Sequence, residues 1–109
     1  MSRVGDSRLA EFLQAPFEDD LRGIPECGPA AIEAFAAQGV HTQFQLIAKF
    51  LAMKDPGVGP VEHVERFYIW LCRFWPNGSS HRAGIVDALC RKLAITFPSL
   101  YDPEAYGRR

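Results

Sequence analysis

Ile24-Pro25-Glu26-Cys27-Gly28-Pro29 is the stretch whose reading decides the fold. Ile24 and Cys27 are apolar and face inward, Pro25 starts a turn, and Gly28 opens the next helix with Pro29 in its first turn, where a helix accepts proline. This is the pattern of a hairpin between two helices, a helix-hairpin-helix. The usual hairpin reads apolar-Pro-Gly-apolar-Gly, so Glu26 stands where the first glycine normally sits. It adds a Cβ and a negative charge at that place.

Working outward, the chain reads as short helices with tight links. Upstream, Leu9, Phe12 and Leu13 share one face of a first helix, capped by Asp6 or Ser7 and ended by Pro16, which disfavours helix in the residue before it. Glu18-Asp19-Asp20-Leu21 predicts one further turn. Downstream, Ala30 to Gln38 is rich in alanine, the best helix former, and Gly39 supplies a left-handed stop. Thr42 caps the next helix, whose buried stripe is Phe44, Ile47, Phe50 and Leu51. Lys54 to Pro60, with two prolines and two glycines, predicts a loop long enough to move. From Val61 to Phe74 the helix is apolar nearly all round. Val61, Val64, Phe67, Tyr68, Leu71, Phe74 and Trp75 cover one side, Ile69 falls opposite, and Trp70 lies near an edge, a distribution that asks for a second partner. Ser79 or Ser80 caps a last helix with the stripe Ile85, Val86, Leu89, Leu93 and Phe97, stopped by Pro98. The fold class is therefore all-α: a compact bundle of about five short helices containing a helix-hairpin-helix. Residues 1–97 form a single domain and 98–109 a tail from which Leu100, Tyr101 and Tyr106 could dock back.

Bulk properties narrow the function. A chain of 109 residues suits one domain, and 48% hydrophobic with 23% charged residues is an ordinary globular balance. A formal net charge of -1 announces no nucleic-acid partner, so any anion site must come from local charge or backbone dipoles. Cys27, Cys72 and Cys90 are odd in number and lack CxxC spacing, which reads as reduced, buried thiols of the nucleus or cytoplasm. No stretch approaches the ~20 apolar residues of a membrane span, so no membrane insertion is expected.

Three places could carry binding. A helix-hairpin-helix offers backbone N–H groups and the positive end of its second helix to a phosphate; alternatively it only turns the chain. Ser79-Ser80-His81-Arg82 combines hydroxyls, an arginine and free helix N–H groups into a phosphate clamp, or else is an N-cap with a solvated arginine. Arg3 and Arg8 form a basic arm. His41, His63 and His81 share no ligand spacing with the cysteines and read as surface or cap residues, so no metal site or cofactor is expected. Cys72 and Cys90 read as core, and Asp19-Asp20 as a solvated turn. No motif of catalysis is present, which points to a binding module rather than an enzyme.

With these pieces placed, their order resembles the barrier-to-autointegration factor family, small nuclear proteins that bridge double-stranded DNA. The resemblance rests on Phe12-Leu13-Gln14-Ala15-Pro16, Ile24 to Gly28 followed by Gly39-Val40, Lys49-Phe50-Leu51-Ala52-Met53-Lys54 and Phe67-Tyr68-Ile69-Trp70-Leu71, and spans about Arg8 to Phe97. It implies a symmetric homodimer in which each subunit holds one duplex by its phosphates. The DNA contacts it implies are Arg8, the hairpin residues Pro25, Glu26, Cys27 and Gly28, and Ser80 with Arg82. The dimer interface it implies lies on Phe67, Ile69, Trp70 and Phe74, with a groove that receives LEM-domain proteins of the nuclear envelope and a location in the nucleus and cytoplasm, on chromatin. This chain departs from the family at Glu26, at Glu33 and Ala34, where the family has a lysine pair, and in a longer Lys54–Pro60 loop and tail.

Two functions compete. One is sequence-independent DNA binding and bridging. The other is a relative that has lost DNA binding and works as a protein-interaction or dimerisation module, for which Glu26, Glu33 and the near-neutral charge argue. A metal or redox module built on the three cysteines is a third. Ser2 and Ser7 flank the basic arm, where phosphorylation would add negative charge beside a DNA site.

Overall fold

The computed structural model describes residues 4–102, with side chains from residue 7 onward. Within it the chain forms five α-helices: α1 (Val4–Gln14), α2 (Pro29–Ala37), α3 (Gln43–Ala52), α4 (Pro60–Phe74) and α5 (Ser80–Thr96). Two single-turn 3₁₀ segments, Leu21–Gly23 and Pro76–Gly78, lead into the hairpin and into α5. No strand occurs among the described residues, and the one extended pairing is an isolated bridge between Asp20 and Thr42. The fold is the small all-α bundle that the spacing of apolar residues predicts. Arg3, Ser2 and Tyr106 lie outside the described residues.

Each boundary has a local cause. α1 begins at Val4, so Asp6 and Ser7 lie inside its first turns rather than capping it. It ends before Pro16, as expected. Asp20 caps the first 3₁₀ turn, its Oδ1 accepting from the Arg22 N–H at 2.9 Å. Gly39 stops α2 at a φ of 77°, the left-handed conformation that glycine adopts without a Cβ clash. Thr42 caps α3 by accepting from the Gln45 N–H at 3.1 Å, while Gln45 Oε1 accepts from the His41 N–H at 2.6 Å, a variant of the reciprocal capping box.

The Lys54–Pro60 segment is tied down rather than left open. Val58 is buried, its carbonyl accepts from Lys54 Nζ at 2.6 Å, and Asp55 pairs with Arg66 of α4 at 2.9 Å. Gln43, fully buried, staples the approach to the hairpin onto the start of α3. Its Nε2 donates to the Asp20 carbonyl at 2.7 Å and its Oε1 accepts from the Glu18 N–H at 3.2 Å. Gly23 is needed here, because a Cβ would stand 2.7 Å from Gln43 Nε2.

One continuous core joins the elements, with Phe35 of α2, Phe50 of α3, Phe67 and Leu71 of α4, and Ile85 and Leu89 of α5 completely buried. α5 packs against both α4 and α1. Burial differs from expectation at several positions. Phe97 is 48% exposed, so the last helical stripe ends at Leu93. Phe44 and Leu51, expected in the core, are exposed, while Leu46 replaces them. Tyr101 packs into the core and donates to Asp87 Oδ1 at 2.7 Å, so the folded domain continues past the boundary drawn at residue 97. Among the described residues, no helix is long and apolar enough to cross a membrane.

Candidate functional site

The hairpin is a turn over Ile24-Pro25-Glu26-Cys27, closed by the Cys27 N–H donating to the Ile24 carbonyl at 3.1 Å. Ile24 and Cys27 are buried, as their spacing predicts, and Pro25 is buried between them. Glu26 has a φ of 72°. Proline followed by a residue of positive φ is the type II turn, whose third position favours glycine. The backbone thus keeps the shape of a glycine hairpin while carrying a glutamate, at a cost of about 1–2 kcal/mol in local strain.

The backbone donors are fewer than the motif suggests. The Cys27 N–H is used in the turn, the Gly28 N–H donates to the Glu26 carbonyl at 3.2 Å, and Pro29 has none. Ala30 and Ala31 remain as the first-turn N–H groups of α2, which have no partner within a helix. They line a hollow of about 210 Å³ together with Glu26, Gly28, Pro29, Trp75 and His81. The structure therefore brings the hairpin and the start of α5 together, though 55 residues separate Glu26 from His81.

The side chains at this meeting are arranged in a way the sequence does not announce. His81 Nδ1 donates to Glu26 Oε1 at 2.6 Å. Arg82 turns inward: one guanidinium nitrogen donates to the Trp75 and Pro76 carbonyls, both at 2.7 Å, and its Nε is buried without a partner. Arg82 therefore caps the end of α4, where carbonyls lose their helical donors, and is not a solvated arginine held out for phosphate. Ser80 is exposed at the first position of α5, and Ser79 precedes it at a φ of 54° with no side-chain cap bond. Arg8 is exposed on α1 and donates to the Arg22 carbonyl at 3.3 Å, which places it beside the turn leading into the hairpin. Arg22 itself pairs with Asp20 at 3.1 Å. Glu33 lies on the far flank of α2, on a separate hollow of about 460 Å³ floored by Leu21 and Ile32.

The proposed dimer residues divide. Phe67 is completely buried, packed edge-on against Phe50 with ring centroids 5.0 Å apart, and so has no surface to offer a partner. Ile69 is 40% exposed, and Trp70 and Phe74 are half-buried, their rings in tilted contact with centroids 4.7 Å apart. Ile69 and Trp70 line a hollow of about 310 Å³ with Met53, Arg66 and Arg73.

Titratable groups inside the domain are structural. Burial pushes the Cys27 thiol up to about 12 and raises that of Cys90 as well, so both stay protonated. All three cysteines are free, and among the described residues no three His, Cys, Asp or Glu side chains gather as they would round a metal ion.

Three working residues escape sequence reasoning. Gln43 is one. His63, expected at the surface, is fully buried, stacked on Phe50 at 4.0 Å, with its Nε2 donating to the Phe50 carbonyl at 2.7 Å. Lys92 is buried, donates to the Phe12 carbonyl at 2.6 Å and lies 4.1 Å over the Phe12 ring and 4.4 Å over that of Phe17. Each works through a partner distant in sequence, so no local pattern marks it. Compared with known protein families, with curated proteins and with solved structures, the chain matches none.

Proposed function

We propose that this domain binds double-stranded DNA through phosphates, without reading sequence, on the face where the hairpin meets the start of α5. The observation that supports this is the backbone of the hairpin: Glu26 holds a glycine-type φ of 72°, so the turn keeps the shape of a glycine hairpin against the preference of its own side chain. Ala30 and Ala31 supply backbone donors, Ser80 a hydroxyl, and Arg8 a cation near the entry to the turn. Contacts of this kind position a duplex and carry no code. Bridging follows if two copies pair through the exposed Ile69 and the half-buried Trp70 and Phe74, as the resemblance to barrier-to-autointegration factors implies. In that reading the protein is a non-enzymatic chromatin component of nucleus and cytoplasm, with LEM-domain proteins as further partners.

A second function is favoured by specific observations. The Glu26 carboxylate stands on the same face, Arg82 is committed to main-chain carbonyls, and Asp20 neutralises Arg22. A surface so short of free cations suits a protein-interaction module that has given up DNA.

Titration of a labelled duplex at low and moderate salt separates the two. For DNA binding, affinity falls with salt with a slope of about -0.9 per phosphate contacted, and the few cations here predict a shallow slope. Gly28→Glu should abolish binding, and unrelated duplexes should bind alike. No binding at low salt would leave the interaction module. Light scattering reads the dimer in the same samples.

A further inference from the structure

We infer that Glu26 is a built-in negative charge on the wall of the hairpin face, latched to His81 so that the resting domain holds off an external phosphate; this deepens the DNA-binding function proposed above and rests on it.

Four observations converge on Glu26. Its backbone adopts a φ of 72°, which an L-residue other than glycine or asparagine takes only under constraint from its surroundings. Its carboxylate meets His81 Nδ1 at 2.6 Å, the bond that ties the hairpin to α5. Its stem lies against Gly84, one turn further along α5, where a Cβ would stand 2.7 Å from Glu26 Cγ, so any larger residue at 84 would push the glutamate out of place. Finally, the hollow it lines is also lined by Ala30 and Ala31, whose N–H groups have no partner within α2. A carboxylate on the wall of that hollow sets a negative charge beside the place a phosphate would enter.

The consequence is competition. A duplex phosphate entering the hollow meets a fixed negative charge and must displace the Glu26–His81 bond. Once displaced, His81 becomes available as a donor to the phosphate. Glu26 then works as a positioning residue that sets the affinity of the face.

Glu26→Gln removes the charge and keeps the shape, and Glu26→Gly also relieves the positive φ, so at least one variant folds. Glu33→Gln, on the other flank of α2, is the control for bulk charge. Each full-length protein is titrated with a short labelled duplex and, separately, with inorganic phosphate while the amide signals of Ala30, Ala31 and His81 are followed by NMR. The latch predicts that both Glu26 variants bind duplex about tenfold more tightly than the parent, the order expected for removing one like charge beside a bound anion. It also predicts that phosphate moves those amides further than in the parent, while Glu33→Gln changes little. If phosphate binding rises but no protein binds duplex, the latch stands and the DNA function falls. If the parent binds duplex and the Glu26 variants gain nothing with either probe, the latch is overturned and the DNA function stands. An equal gain from Glu33→Gln overturns it too, and no binding of either probe by any variant overturns both.

Discussion

Arg82 and His63 show how a polar side chain is claimed by the interior. Arg82 serves the Trp75 and Pro76 carbonyls just past α4, and in Arg82→Ala the Trp75 carbonyl keeps only the Gly78 N–H while the Pro76 carbonyl loses its guanidinium donor. The variant's urea midpoint should fall by the equivalent of about 2 kcal/mol, the range for a charge-assisted hydrogen bond to a partly buried acceptor. His63 gives a pH signature. Burial among α3 and α4 lowers its pKa below the ordinary histidine value, with the Lys54 and Arg66 charges pressing the same way and the Phe50 carbonyl opposing. The unfolded chain therefore takes up a proton first, and stability is lost as pH falls below about 6.5, the unfolded value. Thermal unfolding should show the midpoint dropping between neutral pH and about 5.5, with the drop reduced in His63→Phe. Neither role is legible in the sequence. Arg82 reads as solvated because, although the end of α4 is legible at Phe74, nothing in the sequence says that an arginine in the first turn of α5 will fold back onto the carbonyls there. His63 shares its helix side with Phe67, Trp70 and Phe74, and is found only if a histidine is counted as an aromatic ring.

At the scale of elements, what was legible is what is local. The Pro25–Pro29 hairpin, the Thr42 cap, the Gly39 stop and the Pro16 and Pro98 breaks are set by residues within a turn of one another, and the structure has them where the sequence puts them. Lys92 fails the same test. It lies one turn after Leu89 on the buried stripe of α5, but its charge hides it until the carbonyl of Phe12, 80 residues away, comes into view. The left-handed stop at Gly39 can be tested directly. Gly39→Ala places a Cβ at a φ of 77° and should destabilise the domain by about 1 kcal/mol in chemical denaturation. A cost near zero would mean that α2 ends by another route.

For the whole molecule, the folded unit reaches beyond its last helix. Tyr101 is 7% exposed and anchored to Asp87, and the phenol is pushed well above its usual range by burial and by that carboxylate, so it remains a donor at any physiological pH. A chain ending at Pro98 should lose about 2–3 kcal/mol relative to one ending at Asp102, the value of one large buried ring and its hydrogen bond. Equal stability would return the boundary to residue 97.

The Lys92–Phe12 bond and the packing of α1 on α5 have a kinetic meaning. They close the largest loop in the domain, from near the start of the described chain to near its end, and contacts of such long sequence separation form late because loop entropy must be met before they repay it. The hairpin and its neighbours α2 to α4 have partners close at hand. α1 precedes the rest of this domain along the chain yet is therefore among its last helices to settle, and until α5 is in place the rings of Phe12 and Phe17 lack the Lys92 ammonium that lies over both.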